Sequence, residues 1–356
     1  MARLWVAIPI LALGLAASVA LTARAAPSAA DGARDPVPLR GTPLRGKTGL
    51  RLLVPDNPPF VLDVDTGALI PSGIPAMSRG TLRVFGIGGR AAVVVARSRW
   101  KRADIYAVRG REAQVSPLGI GTNVWPAADG RAVWVQSVVS RSRCTLRLMD
   151  LNGGELRAPR PFPCATGSDP SAGSLGLVSR RTRVLDPGTG RLVLETRWGI
   201  VAGAGRTLVL AGPDEQLTLL DSVTRTQTRL PRPSIAWDGQ PAVDPRGRFV
   251  ALVYGTPTWN TSTLPKGWKG GPLQVLDVWI LDTETAKLTQ LPGMPAFMAI
   301  KRSDVAWTDD GRLVLLGYTN GENVVAVWRP GQRRLALKTV QLPELDGGSR
   351  SFAILR

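Results

Sequence analysis

One short phrase recurs along this chain: an apolar run, an aspartate, a turn rich in threonine or glycine, and a second run. It reads VWILDTETAKLTQLP at residues 278–292 and LTLLDSVTRTQTRLP at 217–231, with shorter copies at 182–190 and 61–67. Apolar and β-branched residues favour strands, and an aspartate can accept a hydrogen bond from the backbone two residues on. Each phrase therefore predicts a β-hairpin. The anchors are Asp63, Asp150, Asp186, Asp221 and Asp282, and degenerate copies at 104–112 and 325–334 make seven.

A second phrase precedes most of these hairpins. It reads WPAADGRAVWVQS at 125–137, VDPRGRFVALVYG at 243–255 and WTDDGRLVLLGY at 307–318. A turn of Asp and Gly is followed by a strand of continuous apolarity, which indicates a strand covered on both faces. Two hairpins make a four-stranded unit, and repeats of about forty residues are typical of β-propellers. We predict an all-β, seven-bladed propeller of four-stranded antiparallel blades over residues 48–356, in which SFAILR (351–356) joins the first blade and closes the ring.

The two phrases together resemble the repeats of TolB-type and WD-type propellers. In those families a Trp or apolar residue precedes a turn like WTDDG, and a later strand ends in a pattern like VWILDTET, as at residues 307–311 and 278–285 here. The resemblance covers about residues 48–356 and rests on turn-forming and packing residues. It implies a non-catalytic binding or scaffold module in the cell envelope, which binds a protein or an anionic polymer or lipid through one basic face. We expect the chain to be a monomer.

The N-terminus predicts export. Residues 4–23 carry no charge, Arg3 precedes them, and Ala23 and Ala25 form a small-residue cleavage pattern. The segment is also about long enough to span a bilayer, on the requirement of roughly 20 residues, so an uncleaved anchor is the alternative. We therefore assign residues 1–25 to a signal peptide or membrane anchor and 26–47, rich in Ala and Pro, to a flexible tether. Both versions place the propeller outside the cytoplasm, secreted or anchored to the membrane.

The chain is strongly basic, with 45 Lys and Arg against 27 Asp and Glu and a net charge of +18. Outside the cell, the partners expected for such a surface are an envelope protein or an anionic cell-wall polymer or lipid, and no nucleic acid. Charge runs are often only solvated loops, but loops on a rigid ring are where binding residues collect.

Propeller topology predicts that the basic runs share one face, because they connect the second and third strands of neighbouring blades. The residues of this predicted basic face are Arg99, Trp100, Lys101, Arg102, Arg141, Arg143, Arg180, Arg181 and Arg183. An insertion at 255–272 is expected on the same face, with Trp259, Lys266, Trp268 and Lys269 as anchors for a partner or as packing for their own loop. The regular Asp and Gly turns on the opposite face are assigned no function.

The two cysteines, Cys144 and Cys164, are an even number in a chain predicted to be exported. A structural disulfide is therefore expected, and two reduced thiols are the alternative.

The chain contains no histidine. Histidine-dependent nucleophiles, bases and metal ligands are thereby excluded, and no metal or cofactor is expected. The sequence interpretation is that the chain is not an enzyme. The alternative is a carboxylate-dependent hydrolase or lyase with its site in the propeller channel. Acidic residues outside the regular turns are Asp169, Asp214, Glu215, Asp238, Glu322 and Glu344.

Overall fold

The computed structural model describes residues 37–77, 81–99, 102–128, 130–140, 143–164, 178–180, 182–213, 216–231, 241–258, 273–299, 304–319, 321–343 and 352–356. These residues form thirty β-strands in seven sheets. The predicted signal peptide or anchor and residues 26–36 of the predicted tether lie outside the described ranges. Within those ranges, no helix has the length and apolarity needed to cross a bilayer.

The strands follow one another as short antiparallel units, which we number as sheets in chain order. Before sheet 1 come β1 (Val37–Pro38) and β2 (Gly41–Pro43). Sheet 1 contains β3 (Arg51–Val54), β4 (Phe60–Asp63) and β5 (Leu69–Pro71). Sheet 2 contains β6 (Thr81–Ile87), β7 (Ala91–Arg99), β8 (Arg102–Arg109) and β9 (Gln114–Gly121). Sheet 3 contains β10 (Asn123–Pro126), β11 (Ala132–Val138), β12 (Arg143–Asp150) and β13 (Glu155–Pro163).

The second half of the chain repeats the pattern. Sheet 4 contains β14 (Val178–Arg180), β15 (Arg183–Leu185) and β16 (Leu192–Glu195). Sheet 5 contains β17 (Gly199–Ala204), β18 (Thr207–Ala211), β19 (Leu217–Asp221) and β20 (Gln227–Arg229). Sheet 6 contains β21 (Ala242–Val243), β22 (Phe249–Thr258), β23 (Leu273–Asp282), β24 (Lys287–Gln290) and β25 (Ala296–Ala299). Sheet 7 contains β26 (Asp304–Trp307), β27 (Leu313–Thr319), β28 (Glu322–Trp328) and β29 (Leu335–Val340), and β30 (Ala353–Leu355) returns to sheet 1.

The predicted β-propeller of four-stranded antiparallel blades is confirmed, but the predicted number of blades is wrong. Six sheets reach four or more strands, so the structure has six such blades and not seven. Sheet 4 has three strands in the described residues, and they are short. The innermost strand that the sequence predicted from Ser174 lies outside the described ranges.

Apolar side chains pack between neighbouring sheets and hold them in a ring. Leu52 of sheet 1 lies in one cluster with Val314 and Val325 of sheet 7, and Leu53 of sheet 1 lies in another with Val84 of sheet 2. Five further clusters join sheets 2 and 3, 3 and 4, 4 and 5, 5 and 6, and 6 and 7. Burial between sheets is therefore continuous around the ring, and it supplies the main apolar stabilisation.

Both ends of the described chain take part in closing the ring. As predicted, β30 pairs with β3, with Leu52 opposite Ile354. The predicted tether needs a correction, because β1 pairs with β25 and β2 pairs with β29, both in parallel. Extra strands added to a sheet edge satisfy its exposed backbone groups. Residues 37–44 of the predicted tether therefore make backbone hydrogen bonds to the propeller.

We call the two ends of the propeller the turn face and the loop face. The turn face carries the hairpins between the first and second strands of each blade and the Asp hairpins between the third and fourth. The loop face carries the hairpins between the second and third strands and the connections between sheets. Sheet 4 fits this scheme, because its β15–β16 hairpin is the Asp186 turn.

The recurring aspartate does two things on the turn face. Its carboxylate accepts backbone N–H groups of its own turn, as Asp221 does from Val223 at 2.9 Å and Thr224 at 3.0 Å. It also pairs with an arginine on the neighbouring strand or turn of its own blade. The pairs are Arg51 with Asp63 at 3.1 Å, Arg206 with Asp221 at 2.7 Å and Arg248 with Asp282 at 2.9 Å. The repeated phrase therefore ties the two hairpins of a blade together.

The predicted disulfide is confirmed. Cys144 at the start of β12 and Cys164 just after β13 are joined, with an S–S distance of 2.11 Å and a Cα–Cα distance of 5.0 Å. The bridge pins the end of β13 at the loop face of sheet 3.

Candidate functional site

The predicted basic hairpins lie at the loop face of three neighbouring sheets. Arg99 is opposite Arg102 at the end of the β7–β8 hairpin, and Arg180 is opposite Arg183 in the β14–β15 hairpin. Arg143 begins β12 and closes the hairpin of sheet 3. Binding through this face stays a prediction.

The other members of the predicted binding set lie outside the described ranges. They are Trp100, Lys101, Arg141, Arg181, Trp259, Lys266, Trp268 and Lys269.

Arg102, Arg143 and Arg183 are exposed, and their surroundings differ. Arg183 pairs with Glu195 at 2.9 Å. Arg143 makes only a long contact with the hydroxyl of Ser140, at 3.4 Å. Neither Arg102 nor Arg143 has a carboxylate partner within the described part of the chain.

A cavity of about 450 Å³ lies in the central channel. The innermost strand of each complete blade has no sheet neighbour on the channel side, so its backbone edge lines the channel. Six sheets contribute lining residues, among them Gly86 on β6, Gly203 on β17 and Ala306 on β26. The volume falls in the range of about 300–1,000 Å³ that is typical of small-molecule sites.

Asp304 brings a carboxylate into this cavity. It is the first residue of β26 and is partly buried. Its Oδ1 accepts the backbone N–H of Val305 at 2.8 Å. Trp307, three residues further on, ends the strand at the turn face. At about 3.3 Å per residue, Asp304 therefore lies about 10 Å from the turn face.

Asp244, the second carboxylate that lines the cavity, has a structural role. Its Oδ1 accepts the N–H groups of Arg248 and Phe249, each at 2.6 Å, and its Oδ2 accepts that of Arg246 at 3.2 Å. It is 3% exposed. Both of its oxygens therefore hold the β21–β22 turn, and Asp304 is the other carboxylate residue in the described lining.

Two arginines of the described lining lie at the turn-face mouth of the channel. Arg90 and Arg131 line the cavity from the turns that follow β6 and β10. Arg90 has a side chain 66% exposed, and its Nε is 3.9 Å from Asp309, which is a loose contact. A positive rim at a concave mouth attracts anionic molecules.

A tighter ionic network lies beside this mouth and joins sheets 7 and 1. Asp310 contacts Arg312 at 3.0 Å, Arg329 at 3.1 Å and Arg356 at 3.2 Å. Burial of Asp310 raises the pKa of its carboxyl, but hydrogen bonds from Thr308 and Arg312 and the charges of Arg312 and Arg356 outweigh burial and lower the pKa to about 2. Asp310 therefore stays ionised as part of the ring closure.

The acidic residues singled out in the sequence do not form the channel site. Asp169, Asp214, Glu215, Asp238 and Glu344 lie outside the described ranges. Glu322 begins β28, is exposed, and accepts a hydrogen bond from Thr339 at 3.2 Å. Sequence reasoning missed Asp304. The available signal was its place at the start of the innermost strand of a blade, immediately before VAWTDDG.

No group of three or more Asp, Glu or Cys side chains in the described part of the chain is arranged to hold a metal ion.

No protein-family model matches the chain, and a search of curated proteins finds no match. Solved structures do share the architecture. The periplasmic gluconolactonase of Pseudomonas aeruginosa is similar over 86% of this chain and 99% of its own, with 13% identity and a TM-score of 0.46. A candidate 6-phosphogluconolactonase from Bacteroides uniformis is similar over the same shares, with 13% identity and a TM-score of 0.48.

These comparisons correct the sequence interpretation. Both proteins are named as lactonases, and neither is named as a TolB-like or WD-type module. The interpretation as a non-catalytic envelope scaffold, and the expectation that the chain is not an enzyme, disagree with both of these names and are withdrawn. The resemblance to TolB had supported both, but turn-forming residues are shared by propellers with different functions. At 13% identity the likeness describes the fold, and it transfers neither a substrate nor a catalytic residue to this chain.

Proposed function

We propose that the chain is a hydrolase that acts on a small anionic ester or lactone in the central channel, with Asp304 as the general base. The observation that carries the proposal is the 450 Å³ cavity, which combines a deep carboxylate with a rim of arginines. Because the chain has no histidine, a carboxylate is the natural candidate for proton transfer.

The reaction follows from this arrangement. The Asp304 carboxylate takes a proton from water while the water oxygen attacks the acyl carbon of the substrate. The tetrahedral intermediate then breaks its bond to the leaving oxygen, which takes the proton back from Asp304. The products are a carboxylic acid and an alcohol, and both belong to one molecule when the substrate is a lactone.

The arginines at the mouth account for the anionic character of the substrate. Guanidinium groups bind carboxylate and phosphate with two parallel hydrogen bonds. Arg90 and Arg131 lie at the rim, whereas Asp304 lies deep in the channel. A substrate whose charged group stays at the rim would place its ester further inside, toward Asp304.

An extracytoplasmic location is part of this proposal. The Cys144–Cys164 bridge supports it, because structural disulfides persist in oxidising compartments. The N-terminal export signal predicted from the sequence agrees with this location.

The test is a screen of the purified full chain against lactones, aryl esters and aryl glycosides, each in a neutral and an anionic form. We expect turnover of an anionic ester or lactone, and a loss of 10²–10⁴-fold in kcat for Asp304→Asn, the range typical of a general base. Asp150→Asn is the matched control, because Asp150 lies on the outer turn of sheet 3 and lines neither the channel cavity nor any other cavity described below. Turnover by Asp304→Asn at the wild-type rate would refute the role of Asp304, and turnover of glycosides alone would refute the substrate class.

A further inference from the structure

A second cavity, of about 650 Å³, lies between sheets 5 and 6 on the turn face. It is larger than the channel cavity, and the two cavities share no described lining residue. Its walls are the first and third turns of both sheets, around residues 204–207, 221–228, 246–248 and 283–286. We call it the inter-blade cleft.

Two glycines set the shape of the cleft. Gly205 and Gly247 occupy equivalent turns of neighbouring blades and have positive φ values of 55° and 71°. A Cβ atom on Gly247 would lie 2.3 Å from the backbone N of Gly205. Only glycine lets the two backbones meet this closely. The contact between these two turns lines the cleft. An arginine follows each glycine, so Arg206 and Arg248 line the cleft from neighbouring blades.

The two arginines are held in place by acidic partners. Arg206 pairs with Asp221 at 2.7 Å, and Arg248 pairs with Asp282 at 2.9 Å and with Glu284 at 3.3 Å. The orientations of these guanidinium groups are therefore set before any ligand arrives, which lowers the entropic cost of binding.

Arg246 adds a positive charge that is not matched in this way. Its backbone N–H donates to Asp244, and its exposed side chain lines the cleft. It has no carboxylate partner among the described residues. The lining thus holds three arginines against Asp221 and Glu284. The cleft suits a ligand that brings one anionic group to Arg246.

Threonine hydroxyls supply the remaining polar surface. Thr207, Thr224, Thr226, Thr228 and Thr283 all line the cleft. Some bond within the protein, since Thr224 donates to Thr226 at 3.0 Å and Thr283 donates to the carbonyl of Arg248 at 2.9 Å. Hydroxyls both donate and accept hydrogen bonds, so they match a ligand rich in hydroxyl groups. The described residues that line the cleft include no aromatic side chain.

We propose that the inter-blade cleft binds a small polyhydroxylated anion, a sugar acid or a sugar phosphate, with Arg246 as the principal contact for its charged group. The site does not depend on the channel hydrolase. It would give the protein a binding site for an anionic saccharide apart from the channel.

The test is calorimetric titration of the full chain with glucuronate, glucose 6-phosphate, glucose and inorganic phosphate. At least one anionic sugar is expected to bind tenfold more tightly than glucose or phosphate. The two anionic sugars distinguish a carboxylate from a phosphate as the recognised group. Arg246→Gln should weaken that binding tenfold or more, whereas Arg229→Gln, which removes an exposed charge outside the cleft, should not.

A variant of the channel separates this proposal from the proposed function. Asp304→Asn should retain the wild-type affinity at the cleft even if it abolishes hydrolysis. Equal affinity of glucose and the anionic sugars, or unchanged binding by Arg246→Gln, would overturn the cleft proposal. Thermal unfolding of each variant confirms that it is folded.

Discussion

The two faces of the propeller use arginine in different ways. On the turn face, Arg51, Arg206 and Arg248 each pair with the recurring aspartate of their own blade. On the loop face, Arg102 and Arg143 have no such partner among the described residues. Yet both cavities open at the turn face, which had been assigned no function from the sequence. A regular repeat can therefore build a binding site, because it brings paired arginines and glycine turns of adjacent blades together.

The first prediction concerns what stabilises the loop face. Replacing both Cys144 and Cys164 with Ala should lower the free energy of unfolding by about 3 kcal/mol, because the disulfide restricts the unfolded chain. Urea unfolding with and without a reductant measures the effect. If the loss is below about 1 kcal/mol, the bridge contributes little and the loop face is stabilised by other contacts.

The second prediction isolates the glycine contact on the turn face. Gly247 and Gly311 sit at equivalent turns with φ values of 71° and 79°, but a Cβ on Gly311 would meet nothing within 4 Å. Gly311→Ala should cost about 1–2 kcal/mol for its backbone conformation alone. Gly247→Ala should cost roughly 2 kcal/mol more, since its Cβ strikes the backbone of Gly205. Equal losses for the two variants in urea unfolding would show that the turns of Gly205 and Gly247 are not in close contact.

The third prediction concerns the ionic network that closes the ring. Against the effect of burial, hydrogen bonds from Thr308 and Arg312 lower the pKa of the Asp310 carboxyl from its usual 3.8 to about 2, so its contribution is present above about pH 4 and is lost as the pH falls through 2. Asp310→Asn should lower stability by about 1 kcal/mol at pH 7, after allowance for solvent screening. The difference from the wild type should shrink as the pH falls toward 2 and vanish below it. A difference that is constant from pH 7 to pH 2 would contradict the ionic origin.

The smallest expected effects compare single arginines on the two faces. Arg248→Gln breaks two ion pairs and should destabilise the protein more than either loop-face variant does. Arg102→Gln and Arg143→Gln should each change stability by less than about 0.5 kcal/mol. Chemical unfolding of the three variants in one buffer tests the contrast. A reversed order would mean that the two faces do not differ as described.

Much of the fold could be predicted from the sequence, because its signals are local. The Asp63 and Asp221 hairpins, the C-terminal strand opposite β3 and the Cys144–Cys164 bridge all follow from turn chemistry, apolar runs and spacing. The number of complete blades could not be predicted from the sequence, because the described strands of sheet 4 are short. The pairing of Val37 with Ala296 also did not follow, because the sequence of residues 26–47 carries no strand pattern.

The candidate sites were harder to predict because they depend on contacts between distant residues. Asp304 and Arg90 are far apart in the sequence, and only ring closure brings both to one channel. Gly205 and Gly247 belong to turns that are individually ordinary. Irregular basic loops attracted attention in the sequence, but irregularity does not indicate where the ring leaves a cavity.

The most direct test of the central claim is the ratio of kcat/KM for Asp304→Asn to that of the wild type, on the substrate found in the screen. We expect kcat/KM to fall at least 100-fold in Asp304→Asn. The loop-face variant Arg102→Gln should keep the wild-type value, because it changes a residue remote from the channel lining. A wild-type ratio for Asp304→Asn, or a comparable fall for Arg102→Gln, would contradict the assignment of the chemistry to the channel.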